Sequence, residues 1–581
     1  MWWLLSCLSK EPTPRVVVLG FDGVDPDLVE LWKADLPHLA SMERHRLGTT
    51  TPPQSPVAWS SFATGLPPDG HGIHDFVSRD GRMPQVATNR YFPARLGPEG
   101  LVAARGSSPR NGTPFWKTAS DAGVAVTALW VPYSFPPDEL GPEGQMVSGL
   151  GTPDLRLTNS TSSLLTSKRA DAKVAGASLV PLERDGDLYA ARLNGPSVPG
   201  LGTPWIRIKG RVDRTTRSVL LTVDEEELHI TEGAWSEWLH VRFPLGEDVA
   251  AHALVRIHVV EAFNDLELYL TPLMIHPDEP WLRFTSPEGY GSELRARWGD
   301  FETVGWVHDT SALQAGLIDE ARFLADTKER FERRRRIAIG ELDRMEEGLF
   351  IAVFTATDRI SHMTWGEDLG HIRDSYIWMD ATLGEVRARL DEDDVLVVLS
   401  DHGFHASEKQ LHVNAVLRSL GHLALKEGDA GSLITDDLDW AETRAWSMGT
   451  GQVFLVEDTP ALRTQVAAEL EAVEIDGERP IREVVEFPDG LRLVFEPPWQ
   501  ASRATTLGGV PAQVWEPNTG AWSGDHAASP AQETEGLLAM QGVEADAVHI
   551  LDVPPTLLFL LGVEIPTDYT GTVVTAGGAA R

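Results

Sequence analysis

The sequence predicts an α/β protein whose mostly parallel central sheet is flanked by helices and interrupted by an all-β insertion and a smaller cap insertion. Three observations carry this reading. Strand-length runs of β-branched and aliphatic residues recur at Arg15–Gly20, Val124–Val131, Leu349–Phe354 and Val395–Ser400, and helical patterns separate them. Strands that alternate with helices imply a sheet covered on both faces. At 581 residues and 42% hydrophobic content, the chain can bury a large core unaided.

Along the chain, residues 1–15 read as an N-terminal tether: an apolar burst, the single cysteine Cys7 and a proline-containing polar spacer. The core is expected over 16–184, with helices at Asp25–Lys33 and Pro114–Gly123. From 185 to 275 the pattern changes to short alternating segments (Trp205–Lys209, Ser218–Val223, Glu227–Thr231, Leu254–Val260, Leu266–Leu270), the mark of an all-β insertion. The core resumes over 276–430 with helical patterns at Ser311–Glu347 and Asp374–Leu390. Residues 431–518, rich in Pro and Gly with one helix at Ala461–Val473, read as a cap, and 519–581 return to the core through Val548–Val563. The charge run Glu329–Arg336 is expected to be a solvated helix face.

Composition removes several function classes. A formal charge of −36 repels a phosphate backbone, so nucleic-acid coating is excluded. No stretch approaches the roughly 18 apolar residues of a spanning helix. One cysteine allows no intrachain disulfide and no thiolate cage, so any metal is held by His and carboxylate. Nothing in the sequence marks an obligate protein partner.

The residues with chemistry to offer gather at strand ends. Asp22 follows the first strand directly, where ligand sites of α/β sheets collect, although an Asp-Gly there is usually only a turn. Asp401-His402-Gly403 stands in the same place after Val395–Ser400. Asp358 and His362, four apart after Leu349–Phe354, would share one face of a helical turn, the spacing at which two side chains can hold one ion; a surface ion pair is the plainer reading of such a pair alone. Ser55 precedes a helix expected to begin near Pro56. It is either a capping hydroxyl or a nucleophile favoured by backbone N–H donors and the helix dipole.

These pieces resemble the alkaline phosphatase superfamily, specifically its type I phosphodiesterase/nucleotide pyrophosphatase branch. The matching segments are Gly20-Phe-Asp-Gly23, Ser55-Pro-Val-Ala-Trp-Ser-Ser-Phe-Ala-Thr-Gly65 running to Pro68-Asp-Gly-His-Gly-Ile73, Thr357-Asp-Arg-Ile-Ser-His362, Ser400-Asp-His-Gly-Phe404, and Gly524-Asp-His526 followed by Asp552-Val-Pro-Pro-Thr556. They stand in the family's order from about residue 15 to residue 570. The resemblance implies an alkaline-phosphatase-like core and a two-metal site that hydrolyses small phosphate esters through a phosphoserine at Ser55. It implies Asp22, Asp401, His402 and Ser55 on one ion and Asp358, His362 and His526 on the other. Mixed Asp/His ligation suits Zn2+ and also admits Mn2+.

Departures from the family pattern shape the expected function. Eukaryotic relatives carry an asparagine three residues after the nucleophile, and Ala58 stands there. Arg359 is a candidate replacement donor, with a helix-surface salt bridge as its plainer role. His71, His74, His405 and His412 are read as structural. Sulfatases require an x-Pro-x-Arg signature that Ser55-Pro-Val-Ala-Trp59 lacks, and a cofactor-independent phosphoglycerate mutase would leave the β insertion unaccounted for. A catalytically dead surface binding protein would have lost a ligand, and none is lost. Pro56, Val57, Ala58, Trp59 and Phe62 surround Ser55, with no Lys or Arg between Arg46 and Arg79, so the reading favours diesters, with phosphomonoesterase activity as the alternative. Leu4-Leu-Ser-Cys7 resembles a bacterial lipobox, implying a lipid anchor and export to the cell envelope or periplasm; the short, non-basic start leaves a cytoplasmic location as the alternative.

Overall fold

The computed structural model describes residues 15–575 apart from 169–176, 225, 247–248, 429, 432, 489 and 507; the tether and Cys7 lie outside the described residues. Nine strands build the central sheet: β1 (Arg15–Phe21), β2 (Arg44–Gly48), β3 (Val126–Val131), β4 (Gly144–Ser148), β5 (Thr285–Ser286), β6 (Gly348–Phe354), β7 (Val395–Leu399), β8 (Gly536–Ala539) and β9 (Val548–His549). Their order is β5-β4-β3-β6-β1-β7-β8-β2-β9. The pairs β4–β3, β3–β6, β6–β1, β1–β7 and β2–β9 are parallel, while β5 and β8 run antiparallel to their neighbours. The expected α/β fold with a mostly parallel sheet is present.

Strand β1 shows why these runs form central strands. Its side chains alternate between two cores, Val17, Leu19 and Phe21 on one face and Val16 and Val18 on the other, so a strand covered on both faces reads as continuously apolar. The first face is covered by α3 (Glu320–Leu342) and α5 (Gly370–Arg387), which contribute Phe331, Ile337, Tyr376 and Met379. The second is covered by α2 (Ser55–Thr64) and α6 (Val553–Leu560). Two further helices matter below: α1 (Pro26–Leu31) and α4 (Ala356–Thr364).

Four local expectations change. The helical stretch expected over 311–347 is broken into Thr310–Gln314 and α3, because Gly316 adopts φ +68° and Asp319 caps α3 by accepting from the Arg322 N–H at 2.8 Å. The strand expected over 254–260 is two strands, Ala250–Val255 and Ile257–Ala262, in different sheets. Between them Arg256 turns inward and pairs with Asp326 at 3.2 Å. The charge run is only half solvated: Arg330 is buried against Asp326 and Asp309, each at 2.6 Å, and Arg334 lies over Trp130. Between residues 77 and 107 two hairpins form where no strand was expected, the second built of two nested ladders, their strands being only three or four residues long.

The segment from Ser162 to Ile275 folds into sheets of four, five and three strands around a separate apolar core that includes Leu193, Ile208, Leu221, Phe243 and Leu268. The segment 445–495 forms a four-stranded sheet with the helix Pro460–Glu471 beside it. A small sheet joins Lys409–Leu411 to Trp499–Ala501 and Trp515–Pro517. The registers Phe21↔Phe354 and Gly20↔Leu399 set the carboxyl ends of β1, β6 and β7 side by side, and the site lies there.

Candidate metal centre

Two clusters of ligand-type side chains meet at these strand ends. Asp22, Asp401 and His402 offer one atom each within 4.8 Å of one another, as do Asp358, His362 and His526, and all six are buried. In the first, His402 Nε2 lies 3.5 Å from Asp22 Oδ1 and 3.3 Å from Asp401 Oδ2. In the second, Asp358 Oδ1 lies 3.3 Å from His362 Nε2 and 3.5 Å from His526 Nε2. The His402 and His526 rings stack at 3.5 Å and 14°, so the clusters share a wall. Helix α4 puts Asp358 and His362 one turn apart on its buried side. His526 arrives from the short strand Gly524–Asp525, paired with His405–Ala406.

Ser55 lies against the first cluster, its Oγ 3.2 Å from His402 Nε2 and 3.4 Å from Asp22 Oδ1. It is the first residue of α2, and Gln54 occupies the cap position. The capping reading is corrected, since the hydroxyl points at the cluster and not at the backbone. The expected ring of free helix amides is also smaller than the sequence implied: Pro56 has no N–H, and those of Val57 and Ala58 both donate to Gln54 O at 2.9 Å. Ala58, Trp59 and Phe62 point into the core and Val57 is fully buried, so they do not wall a substrate pocket.

The donor set fits divalent cations. Each histidine Nδ1 faces a backbone carbonyl: His362 that of Gly524 at 2.8 Å, His402 that of Gly403 at 3.1 Å and His526 that of Pro53 at 2.7 Å. A carbonyl only accepts, so each Nδ1 carries the proton and each Nε2 turns a lone pair inward. His362 and His526 then oppose two lone pairs across 3.2 Å, an arrangement that calls for a cation. Asp358 Oδ1 and Asp401 Oδ2 are buried without a hydrogen-bond partner, a costly state unless a cation compensates it, whereas Asp358 Oδ2 already faces the Arg359 guanidinium at 2.9 Å. Burial pushes the His362 imidazole down to about 4 and holds His402 well below its usual range, so both rings stay neutral, as ligation requires. Burial, then the Asp358 charge, pushes Asp22 up to about 7. Burial, then Asp22 and Asp358, pushes Asp401 up as well. Burial alone would also raise Asp358, but the Arg359 guanidinium and His362 hold it well below the carboxylate range.

The sequence profile of the type I phosphodiesterase / nucleotide pyrophosphatase family matches residues 16–193 and 292–533. The chain belongs to that family. This branch of the alkaline phosphatase superfamily is the one its motifs resembled, and the chain is a phosphoric ester hydrolase of that class. Among solved structures it is similar to the wild-type alkaline phosphatase PafA, at 12% identity over 97% of this chain and 99% of that one with a TM-score of 0.44. It is also similar to phosphonoacetate hydrolase from Sinorhizobium meliloti 1021 in complex with phosphonoformate, at 12% identity over 95% and 96% with a TM-score of 0.42. No curated protein matches the chain.

Some side chains that surround the clusters were not identified from the sequence. Trp59 donates its indole N–H to Asp22 Oδ2 at 3.1 Å. Trp522 stacks on His362 at 3.8 Å, and Arg503 lies over Trp522. Arg359, offered from the sequence as a replacement donor or a helix-surface salt bridge, is 3% exposed, which removes the surface reading; it pairs with Asp358 at 2.9 Å and stacks over Trp306 at 3.6 Å. The structural histidines behave as expected where their partners are clear. His71 Nδ1 accepts from the Ile73 N–H at 3.1 Å while Nε2 meets Ser61 Oγ at 3.0 Å, and His405 bonds Ala406 O and Ser529.

Proposed function

We propose that the chain hydrolyses small phosphate esters with Ser55 Oγ as nucleophile, flanked by one divalent ion on Asp22, Asp401 and His402 and a second on Asp358, His362 and His526. The observation that carries this is the hydroxyl of Ser55 3.2 Å from the inward-facing Nε2 of His402, one of three histidines whose Nδ1 atoms are anchored to backbone carbonyls. The ions, Zn2+ by donor type with Mn2+ as the other candidate, supply Lewis-acid charge that favours the serine alkoxide and neutralises phosphoryl oxygens. Ser55 Oγ forms a bond to phosphorus as the ester P–O bond breaks, and its proton passes through solvent to the departing alkoxide. Water then cleaves the phosphoserine and restores the hydroxyl. The Gly524, Gly403 and Pro53 carbonyls hold the imidazoles in one tautomer throughout.

Ser55→Ala tests this: turnover is expected to be abolished with metal content near two ions per chain, and retained turnover would remove Ser55 as nucleophile. Within this reading, residues 185–275 and 431–518 are insertions bordering the core; support for the first is that the family profile leaves 194–291 unmatched. We also propose export with a lipid anchor at Cys7, which mass spectrometry of a native N-terminus with an unmodified Cys7 would contradict.

A further inference from the structure

We propose that a buried brace, Gln54–Asp75–Arg492, lets the four-stranded sheet of residues 445–495 position the turn that carries the nucleophile, which makes these three positioning residues for attack by Ser55. The inference rests on the phosphate-ester reading of the same site.

Three consecutive residues connect the two clusters. The Pro53 carbonyl accepts the His526 Nδ1–H at 2.7 Å and so orients a residue of the second cluster, while the Ser55 hydroxyl stands 3.2 Å from His402 Nε2 in the first. A shift of this turn moves the nucleophile and the carbonyl that sets the His526 tautomer together. Gln54 sits between them at the cap position of α2. Its backbone carbonyl takes the Val57 and Ala58 N–H groups, yet its side chain makes no cap bond. Fully buried, that side chain reaches away from the helix to Asp75, Nε2 donating to Oδ2 at 3.1 Å.

Asp75 is held from the far side. Arg492, on the strand Gly490–Phe495, donates from Nη2 to the same Oδ2 at 2.6 Å and to His74 O at 2.9 Å, and from Nη1 to Thr450 O at 3.4 Å. Thr450 Oγ1 donates to Oδ2 at 3.3 Å, and Oδ1 accepts the Phe76 and Val77 N–H groups at 2.6 and 3.4 Å. The Asp75 and Arg492 side chains are 0% and 3% exposed. A buried ion pair adds little net stability but can specify one geometry, and a carboxylate with donors on both oxygens has little freedom to move. What it specifies here is the place of Gln54.

Attachment and positioning can be told apart. The segment after Asp75 has two further ties to the same sheet, Gln452 Nε2 to Val77 O at 2.9 Å and Arg79 Nη1 to Leu455 O at 2.7 Å, and neither involves Gln54. If the sheet served only to cover the core, all of these ties would be equivalent; the brace makes one of them matter for the rate.

The test uses the metal-loaded full chain with p-nitrophenyl phosphate and bis-p-nitrophenyl phosphate, scored on the better substrate. Gln54→Met keeps the side-chain length, deletes the donor to Asp75 and leaves the Asp75–Arg492 pair intact. It is expected to lower kcat by about 10- to 100-fold, the cost of a misplaced reacting group, with KM within about threefold of wild type. Arg492→Lys keeps the charge but loses the fork and should lower kcat in the same way. The double variant should lose no more than the larger single loss, because both act through one link. Arg79→Leu, which cuts a tie that bypasses Gln54, should lower the melting temperature and leave kcat within about threefold. If Arg492→Lys does not fold, Gln54→Met decides alone. Unchanged kcat in Gln54→Met, a loss confined to KM, additive losses in the double variant, or an equal kcat loss in Arg79→Leu each overturns the brace while Ser55 as nucleophile stands; an active Ser55→Ala protein would overturn the underlying reading instead.

Discussion

Replacing Trp59 by phenylalanine separates packing from metal positioning. The indole fills the core on α2, its far edge so close to β1 that a Cβ on Gly20 would lie 2.7 Å from Cη2, and its N–H gives Asp22 Oδ2 a donor at 3.1 Å. Phenylalanine keeps most of the apolar contact, so the stability loss should stay below the ~3–5 kcal/mol of truncation to alanine. The lost hydrogen bond to a charged group is worth about 1.5–3 kcal/mol. Part of that falls on the ion held by Asp22, since removing an outer partner of a metal ligand lowers affinity about 10- to 100-fold. Competition against a chromogenic chelator should show one of two ions weakened by that factor and the other unchanged. Phe62→Leu, on the same helix and packed edge-on against Trp59 at 5.3 Å, should lower stability without touching metal affinity. If both variants lose stability and bind both ions like wild type, Trp59 is only a packing residue and the outer-partner argument fails.

Metal loading should depend on pH. Burial and the Asp358 charge raise Asp22 to about 7 in the metal-free chain, so below that pH an ion must displace a proton; affinity should rise with pH, with about a fivefold loss from pH 7 to 6, and a flat titration would contradict the shift. Arg330→Met leaves Asp309 buried without its cation while Asp326 keeps Arg256, and should cost ~3–5 kcal/mol in denaturant unfolding; a cost under about 1 kcal/mol would mean this network is not a main tie between α3 and its neighbours.

Strands β1, β3, β6 and β7 and the five ligand-type residues that follow β1, β6 and β7 were legible because their signals are local: an apolar run sets a strand, and an Asp or His just past it sits at the strand's carboxyl end; His526 entered only through the family motif, and β2, β4, β5 and β8 are too short or too polar to stand out. Ser55 was legible as a residue but not as a helix position, since whether a serine caps a helix or opens it depends on one backbone angle pair. Trp59 was misread because its apolar ring hides a polar N–H whose use depends on Asp22, 37 residues away. Arg330 and Arg334 looked solvated because Asp309, the partner that draws Arg330 inward, and Trp130, beneath Arg334, lie outside the charge run.

The central claim is that Ser55 attacks phosphorus between the two clusters. Acid quenching of the metal-loaded protein during turnover, followed by mass spectrometry of the peptide carrying Ser55, tests it most directly. The account predicts a phosphoryl group on Ser55 that is absent from Ser55→Ala and from metal-free protein; turnover with no phosphoryl group on that peptide, or with one on another residue, would contradict it.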